Sequence, residues 1–294
     1  MKRPDIIQNI IHKTRYIAFK IFPETTLKIE FKRNAGYKLN LKNPQTFNEK
    51  LQWLKLYWYD SKATVCADKF SVRKYVKSKG LGHLLNDLYE VYEDIDEINF
   101  DDLPDKFVMK VTHGCGQNLI CTDKSKIDWK HEKTRFSKWL KQSHYYGSLE
   151  WVYRDIKPRI VVEKLIETED GKPPKDYKVF CFNGEPKVLF VATDRGLGTT
   201  KFDFYDLNWN HIPVKNYYPN SKNILPKPVE LDEMLRYSRI LSEGFPHMRV
   251  DFYLEEDKVI FGECTFFHFS GNQPFEPISF DYEMGRYLNL PSKS

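Results

Sequence analysis

The residues with the clearest chemical potential lie in two apolar runs near the end of the sequence. Arg249, Asp251 and Glu263 belong to runs that flank a polar cluster at residues 255–257, a pattern that predicts a β-hairpin. A three-residue connection makes Asp251 and Glu263 diagonal neighbours on one face, because side chains alternate faces along a strand. Two carboxylates so placed offer the hard oxygen ligands that Mg²⁺ prefers. A two-residue connection would put them on opposite faces, and an acidic hairpin facing water is the competing interpretation.

A glycine-containing loop is the second chemical feature. Lys110 belongs to an otherwise apolar run, residues 107–111, which leads into a loop at 112–118 and then into another apolar run. Gly114 and Gly116 allow backbone N–H groups to converge on phosphate oxygens, and Lys110 can neutralise those oxygens. The order strand, loop, strand differs from a Walker P-loop. An ordinary hairpin turn with a lysine that reaches solvent is the alternative.

Lys69 is a further candidate for contact with a phosphate. The sequence predicts a helix from about residue 68 to residue 79, ending at Gly80. Lys69 would then lie in the first helical turn, where the helix dipole favours anions over cations. A lysine in that position indicates a role such as binding a phosphate.

The elements that must position these residues follow a mixed order of helices and strands. The patterns predict a helix from the capping box at 46–49, helices over about 128–141 and 230–243, a buried strand at 159–166 and a hairpin turn at Asn183-Gly184. Glu163 and Lys164 interrupt the buried strand, which is costly unless they are paired or lie at an opening. Residues 194–228 show no clear period and predict a long loop that faces substrate.

Composition limits the classes of protein that the sequence can encode. The 294 residues are 41% hydrophobic and 30% charged, which is typical of a globular protein. No apolar run approaches the roughly 20 residues that cross a bilayer, and no signal-peptide pattern is present. The five cysteines are odd in number and form no C-x-x-C pair, so neither a disulfide framework nor a zinc site is predicted. A reducing cytoplasm fits best.

Basic residues concentrate at the start of the chain. Residues 1–42 hold ten Lys or Arg and three Asp or Glu, a net charge of +7, which leaves −2 for the rest of a chain whose total is +5. The nearly neutral body argues against a general nucleic-acid-binding protein. Isoleucine and phenylalanine alternate with basic residues in this segment. It predicts an amphipathic helix that packs on the body or lies on an anionic membrane surface, and the sequence leaves the choice open.

In this order, the motifs resemble the ATP-grasp superfamily and, more narrowly, the TupA-like ATP-grasp proteins found with bacterial surface-polysaccharide biosynthesis. The resemblance covers roughly residues 40–291. It is carried by Asn43–Lys50, by Asp68 and Lys69 with Arg73, by Leu103–Lys110 and its loop, by Gly262–Phe266, and by Ser270-Gly271 with Pro274–Pro277. The combination is specific, although no single motif is.

The resemblance implies an α+β fold in which two lobes clamp ATP. The expected segments are a basic helical region at 1–60, a first lobe at 61–166 and a second lobe at 167–294. Lys69 and Lys110 would contact the α- and β-phosphates. The loop with His113, Gly114 and Gly116 would close over the β- and γ-phosphates, and the adenine-side hinge would comprise Glu163, Lys164, Leu165 and Ile166.

The resemblance also assigns the metal and transfer residues. Glu167 or Glu169 would lie near the ribose, and Lys178 would approach the phosphates from the second lobe. Mg²⁺ would be bound by Asp251 and Glu263, with Thr265 where many relatives have asparagine, which leaves a second metal ion uncertain. Arg249 would steady the transferring phosphoryl group or an oxyanion.

The implied activity is an ATP- and Mg²⁺-dependent ligase that joins a carboxylate to an amine through an acylphosphate. By resemblance, the carboxylate would be a uronic acid of a surface polysaccharide and the amine an amino acid or amino sugar. The expected location is the cytoplasm, with a membrane contact through residues 1–42 left open. Two alternatives remain: a sugar phosphotransferase of the same fold, and a glycosyltransferase using the D-x-D at Asp94-Ile-Asp96, which lies in an acidic linker.

Overall fold

The computed structural model describes residues 5–168 and 171–293, with side chains from residue 10 onward. The chain begins with two helices that contact each other, α1 (Asp5–Ile21) and α2 (Pro23–Ala35). Proline suits the first position of α2, because its missing N–H would have no partner in the helix there. Among the described residues, no helix is both long and apolar enough to cross a membrane.

The capping box predicted at residues 46–49 is confirmed and starts α3 (Phe47–Tyr57). The Thr46 hydroxyl accepts a hydrogen bond from the Glu49 amide at 3.1 Å, and the Glu49 carboxylate accepts one from the Thr46 amide at 3.1 Å. Two amide donors that the helix itself cannot satisfy are therefore paired.

The helix predicted over residues 68–79 begins later than expected. α4 (Ser61–Ala67) ends before this range, and α5 (Val72–Ser78) begins four residues into it. The Asp68 carboxylate accepts a hydrogen bond from the Phe70 amide at 3.0 Å. This contact stabilises a non-helical turn where the helix was expected to begin. Lys69 lies in this turn, so the helix-dipole argument for its role was wrong.

The first sheet is small and antiparallel. It contains β1 (Leu88–Tyr92), β2 (Phe107–Val111), β3 (Asn118–Cys121) and β4 (Ile160–Glu163). The strand order is β1-β4-β2-β3. α6 (Trp129–Leu140) packs on β2 and closes a compact apolar core, and α7 (His144–Ser148) follows it. The strands predicted on either side of the loop at 112–118 and the helix predicted over 128–141 are confirmed. The strand predicted at 159–166 is shorter than expected and ends at Glu163.

The second sheet is larger and also antiparallel. It contains β5 (Asp176–Phe182), β6 (Glu185–Thr193), β7 (Lys201–Tyr205), β8 (His211–Ile212), β9 (His247–Glu255) and β10 (Lys258–Thr265). The strand order is β10-β9-β5-β6-β7-β8. Asn183 and Gly184 form the two-residue turn between β5 and β6, as predicted.

The prediction of a long loop over residues 194–228 is wrong in part, because β7 and β8 lie within it. Phe202 and Phe204 are buried on either side of Asp203, which is itself buried. The Asp203 carboxylate accepts hydrogen bonds from the Ser221 amide at 2.8 Å and the Ser221 hydroxyl at 2.6 Å. Asp203 thus occupies an interior strand with its oxygens hydrogen-bonded. Because a charged residue interrupts the apolar run, the sequence pattern did not predict a strand here.

Most buried side chains form one large core around the second sheet. α8 (Leu231–Ser242), predicted over 230–243, packs across β5, β6 and β9, and α9 (Ser279–Tyr287) packs on α3. α4 and α5 join the same core through Ala67, Val72 and Val76. The turn that carries Lys69 is therefore anchored to the larger core, whereas the loop at 112–118 belongs to the smaller sheet.

Candidate active site

The β9–β10 hairpin places its two carboxylates opposite each other by a route that the sequence did not predict. The connection has two residues, Glu256 and Asp257, with φ of 48° and 60°. The expected three-residue connection is therefore wrong. A β-bulge between Phe261 and Glu263 inserts one extra residue, so Glu263 pairs directly with Asp251. The bulge restores the shared face that a two-residue connection would otherwise have removed.

Gly262 is the residue that the bulge inserts. A Cβ at this position would lie 3.0 Å from the Asp251 carbonyl oxygen and 3.1 Å from the Tyr253 ring. Since real Cβ atoms rarely come so close to a backbone oxygen, glycine allows β10 to approach β9 here. The relative position of the two carboxylates depends on this close approach.

Asp251 is the centre of a buried ion network. It is 1% exposed and accepts two parallel hydrogen bonds from Arg249, both at 2.7 Å. Lys178, its neighbour on β5, donates to the same carboxylate and lies 2.7 Å from Asp176. Burial raises the pKa of Asp251, and Arg249 and Lys178 oppose that rise. These contacts fix the carboxylate and both cations in one arrangement.

Arg249 extends the network towards the end of β10. Its guanidinium donates to the Thr265 hydroxyl at 3.0 Å and contacts the His268 ring nitrogen at 2.7 Å. The other His268 nitrogen lies 2.8 Å from the Asn216 side-chain oxygen. Although burial disfavours its charge, Asp251 raises the pKa of Arg249. The arginine is therefore a fixed cation.

Glu263 is the accessible carboxylate of the pair. Its side chain is 37% exposed and lies 3.6 Å from Arg249 and 4.0 Å from the ammonium of Lys69. Burial opposes its ionisation, but Lys69, Lys178 and Arg249 together lower the pKa of Glu263 to about 2. This carboxylate is charged at neutral pH and lies beside the turn that carries Lys69.

Lys69 connects the hairpin to the glycine loop. Its ammonium donates to the Gly114 carbonyl oxygen, and its backbone amide donates to the Thr112 carbonyl oxygen at 3.4 Å. Gly116 has a φ of +71° at the tip of this loop. The His113 ring contacts the Trp139 carbonyl oxygen in the last turn of α6 at 3.2 Å and the Gln142 carbonyl oxygen just beyond that helix at 3.0 Å, so it anchors the loop.

Lys110 and the hinge lie on the other side of the loop. Glu163 ends β4 and pairs with Lys110 at 2.8 Å and with Arg73 at 3.3 Å. Glu163, the charged residue that interrupts the buried strand, is therefore ion-paired, as its burial requires. Lys164 forms an ion pair of 2.8 Å with Glu255 and links the hinge to the hairpin.

A cavity of about 1130 Å³ opens between the hinge and the second sheet. Lys164, Leu165 and Glu167 line it from the hinge, and Tyr177 and Leu254 line it from β5 and β9. Ile166 is half-buried beside them. Glu169 lies outside the described residues. Charged side chains supply much of the remaining lining, among them Lys175, Lys201 and Glu255, so the cavity suits a polar or charged ligand.

Two charged residues at the site escaped the sequence analysis. Arg195 pairs with Asp176, which in turn pairs with Lys178. Burial opposes the charge of Arg195, and Asp176 raises its pKa. The sequence marks Arg195 only weakly: it follows Asp194 directly after an apolar run, and Gly196 and Gly198 come next.

The oxygen donors of the hairpin are of the kind that a Mg²⁺ ion bound together with ATP would need. Asp251 and Glu263 supply two hard oxygen ligands on one face, and Thr265 adds a hydroxyl. Within residues 5–168 and 171–293, no group of three or more His, Cys, Asp or Glu forms a complete metal site. Mg²⁺ commonly binds one or two carboxylates and takes its other ligands from substrate phosphates and water. The residues fit a magnesium ion held jointly with a nucleotide.

Comparison with known families gives one match. A family model described as TupA-like ATPgrasp matches residues 49–289, which is most of the chain. Comparison with curated proteins gives no match.

Several solved structures resemble the fold at low sequence identity. A D-alanine–D-alanine ligase from Bacillus anthracis complexed with ATP is 14% identical, with a TM-score of 0.42 over 68% of this chain and 55% of that one. The ATP-grasp ligase PsnB, complexed with a precursor variant, Mg and ADP, is 10% identical, with a TM-score of 0.39 over 70% and 51%. The D-alanine–D-alanine ligase from Helicobacter pylori is 14% identical, with a TM-score of 0.42 over 85% and 68%. This chain therefore spans little more than half the length of the first two.

Proposed function

The chain belongs to the TupA-like ATP-grasp family and has the ATP-grasp fold, and on this premise we propose that it is an ATP- and Mg²⁺-dependent ligase joining a carboxylate to an amine. The observation that carries the proposal is the meeting of Lys69, the glycine loop and the hairpin. Lys69 contacts Gly114 on one side and lies 4.0 Å from Glu263 on the other. Cations and a charged carboxylate thus converge where a nucleotide phosphate chain would lie.

Each part of the site has a proposed role. Lys69 and Lys110 neutralise the phosphates nearest the nucleoside, and the amides of the loop at 112–118 bind the terminal phosphates. The hinge at 163–166 offers its backbone to adenine, beside the cavity of about 1130 Å³. Positioning and charge neutralisation are most of what phosphoryl transfer requires of a protein.

Asp251 and Glu263 would hold Mg²⁺, with the Thr265 hydroxyl beside them. The metal would neutralise charge that develops on the phosphate oxygens. Arg249 and Lys178 are proposed as the catalytic cations, because both are buried and both donate to the carboxylate of Asp251. Their positive charge would stabilise the transferring phosphoryl group and the oxyanion formed when the amine attacks.

The substrates that we propose are a uronic acid of a bacterial surface polysaccharide and an amino acid or amino sugar. The carboxylate would attack the γ-phosphate to give an acylphosphate and ADP, and the amine would then displace phosphate from the acyl carbon. We also propose a cytoplasmic location and no nucleic-acid partner. The division of the chain into segments 1–60, 61–166 and 167–294 remains a prediction.

The glycosyltransferase alternative receives no support from its own motif. The Asp94 side chain caps a 3₁₀ turn at Ile95–Glu97 by accepting from the Asp96 amide at 3.1 Å. Both aspartates of this motif are exposed, and only the isoleucine between them, Ile95, is buried. This arrangement is a solvated cap and does not follow a buried strand.

Nucleotide specificity is the first test of the proposal. Thermal unfolding is measured with Mg-ATP, Mg-ADP and a panel of nucleotide sugars, and a ligand at about 100 times its Kd adds roughly 2.7 kcal/mol. Adenine nucleotides alone should stabilise the chain, and Lys110→Met should weaken that effect while Arg73 still pairs with Glu163. Lys130→Met, on the exposed side of α6, is the matched control. Stabilisation by nucleotide sugars alone would refute the proposal.

The chemical outcome needs a second experiment. Uronic acids are incubated with Mg-ATP and hydroxylamine, which captures an acylphosphate as a hydroxamate. Formation of a hydroxamate together with ADP supports the ligase. A stable phosphosugar detected by ³¹P NMR, without hydroxamate, would instead assign the phosphotransferase reaction.

A further inference from the structure

The outer face of α1 is unusually apolar for a surface helix. Ile10, Ile17 and Ile21 are 58%, 57% and 61% exposed. Their spacing of seven and four residues places them in one row, since a helix turns by about 100° per residue. Phe22, directly after α1, and Ile29, in α2, are each 63% exposed as well.

This concentration is specific to the start of the chain. Of the 18 large hydrophobic side chains that are exposed among the described residues, six fall within residues 10–29. Isolated exposed apolar residues are normal, whereas a contiguous group marks an interaction surface. The row of exposed isoleucines is therefore a candidate surface for binding another molecule.

The isoleucine row is not the side of α1 that packs on the protein, because the opposite side of the helix already does so. The Arg15 guanidinium binds both carboxylate oxygens of Glu30 and donates to the Gly147 carbonyl oxygen. The Tyr16 ring lies 5.6 Å from that of Tyr145 and 4.5 Å from that of Tyr146. α1 is thus fixed with its isoleucines directed away from the fold.

A basic cavity adjoins the same helix. Its volume is about 700 Å³, and it is lined by His12 and Lys13 of α1, by Lys138 and Lys141 of α6, and by hydroxyls that include Ser143. None of the described residues that line it is acidic. Around the helix, Lys13 lies between His12 in the cavity and Ile17 in the apolar row. The cavity mouth and the apolar row therefore share an edge.

We propose that this face docks on an anionic lipid bilayer, with the cavity receiving the phosphate of one headgroup. The isoleucine row and Phe22 would lie among the upper acyl chains, and Lys13 and Lys20 would lie at the headgroup level, where helices of this kind bind. The net charge of +7 in residues 1–42 complements an anionic surface. The inference does not rest on the proposed ligase activity.

A second copy of the chain fits this surface poorly. A symmetric contact would bring the same basic segment of each copy together, and like charges repel across such an interface. A nucleic acid would suit the lysines but would leave the isoleucine row against water. An anionic bilayer satisfies both the apolar and the basic part of the surface.

The test is co-sedimentation of the full chain with phosphatidylglycerol vesicles and with phosphatidylcholine vesicles. Binding should require phosphatidylglycerol and weaken as salt is raised. Ile17→Gln with Ile21→Gln should lower partitioning at least about tenfold, because the inserted apolar area is lost. The matched control is Ile120→Gln with Ile224→Gln, since those isoleucines are 58% and 67% exposed but lie outside α1.

The cavity is tested separately from the apolar row. Lys138→Gln with Lys141→Gln should reduce binding to phosphatidylglycerol vesicles by roughly fivefold per lysine, and Lys130→Gln is the control. Unchanged thermal unfolding and nucleotide binding in these variants would show that the fold is intact. Equal binding to both lipids, no effect of the Ile17 and Ile21 changes, or a dimer that those changes dissociate would each overturn the proposal.

Discussion

Replacing Asp251 by asparagine should destabilise the fold, whereas replacing Glu263 by glutamine should leave it nearly intact. Asp251 is 1% exposed and is the common partner of Arg249 and Lys178, which are 8% and 6% exposed. The substitution keeps the shape of the side chain but removes the charge that pairs with both cations. Glu263 makes only the longer contacts of 3.6 and 4.0 Å from a partly exposed side chain.

The expected magnitudes follow from this difference in burial. Removing one partner of a buried ion pair costs about 3–5 kcal/mol. Because Lys178 keeps its 2.7 Å contact with Asp176, we expect Asp251→Asn to lie near the lower end, about 3 kcal/mol. In a chain of this size, that corresponds to a fall in Tm of roughly 6–12 °C. Glu263→Gln should cost about 1 kcal/mol or less, as partly exposed ion pairs do.

The assay combines urea unfolding at pH 7.5 with ATP turnover in Mg²⁺. Both variants should lose turnover, because each removes one proposed ligand of the metal, but only Asp251→Asn should lose stability. Lys178→Met provides the second arm of a double-mutant cycle, and the cost of Asp251→Asn should fall in that background, where one buried cation is absent. If Asp251→Asn unfolds within 1 kcal/mol of the wild type, the ion network does not stabilise the site as we infer.

Two further predictions concern the close approach of β9 and β10 and the buried histidine on β9. Gly262→Ala should abolish ATP turnover and lower the urea midpoint of unfolding, since the new Cβ would lie 3.0 Å from the Asp251 carbonyl oxygen. Unchanged turnover together with an unchanged midpoint would contradict a role for the bulge. Burial lowers the pKa of His247 to about 3, so the unfolded chain takes up a proton that the fold excludes, and stability is lost as pH falls from 6.5 towards 3. His247→Phe should remove about 3 kcal/mol of the stability difference between pH 7 and pH 4 in urea unfolding, and an unchanged difference would show that the ring is not the responsible group.

Local patterns in the sequence predicted those parts of the fold that local chemistry decides. The capping box at 46–49 and the turn at Asn183-Gly184 were predicted correctly because each depends on the side chains of a few consecutive residues. The strand at 201–205 was missed because its buried Asp203 is satisfied by Ser221, which is 18 residues away in the sequence. The alternation of apolar and polar residues along a strand does not reveal a hydrogen-bond partner that lies so far away in the sequence.

The candidate site shows the same limit. The sequence singled out Asp251 and Glu263 on the assumption of a three-residue connection, whereas the structure uses a two-residue connection and a bulge. Two departures from the assumed hairpin cancel, and the two carboxylates still share a face. The pairing of Arg195 with Asp176 joins the start of β5 to the loop after β6, and only the folded sheet brings them together.

The charges around the β9–β10 hairpin are consistent with the proposed binding of an anion. Four cations, Lys69, Lys178, Arg195 and Arg249, face three carboxylates, Asp176, Asp251 and Glu263. Lys69 is anchored in the larger core through α4 and α5, yet its ammonium contacts Gly114 on the smaller sheet. A phosphate that bound the loop amides and Lys69 together would replace this contact and offset the excess positive charge. The ammonium of Lys69 therefore connects elements of both sheets at the place where we propose that the nucleotide phosphates bind.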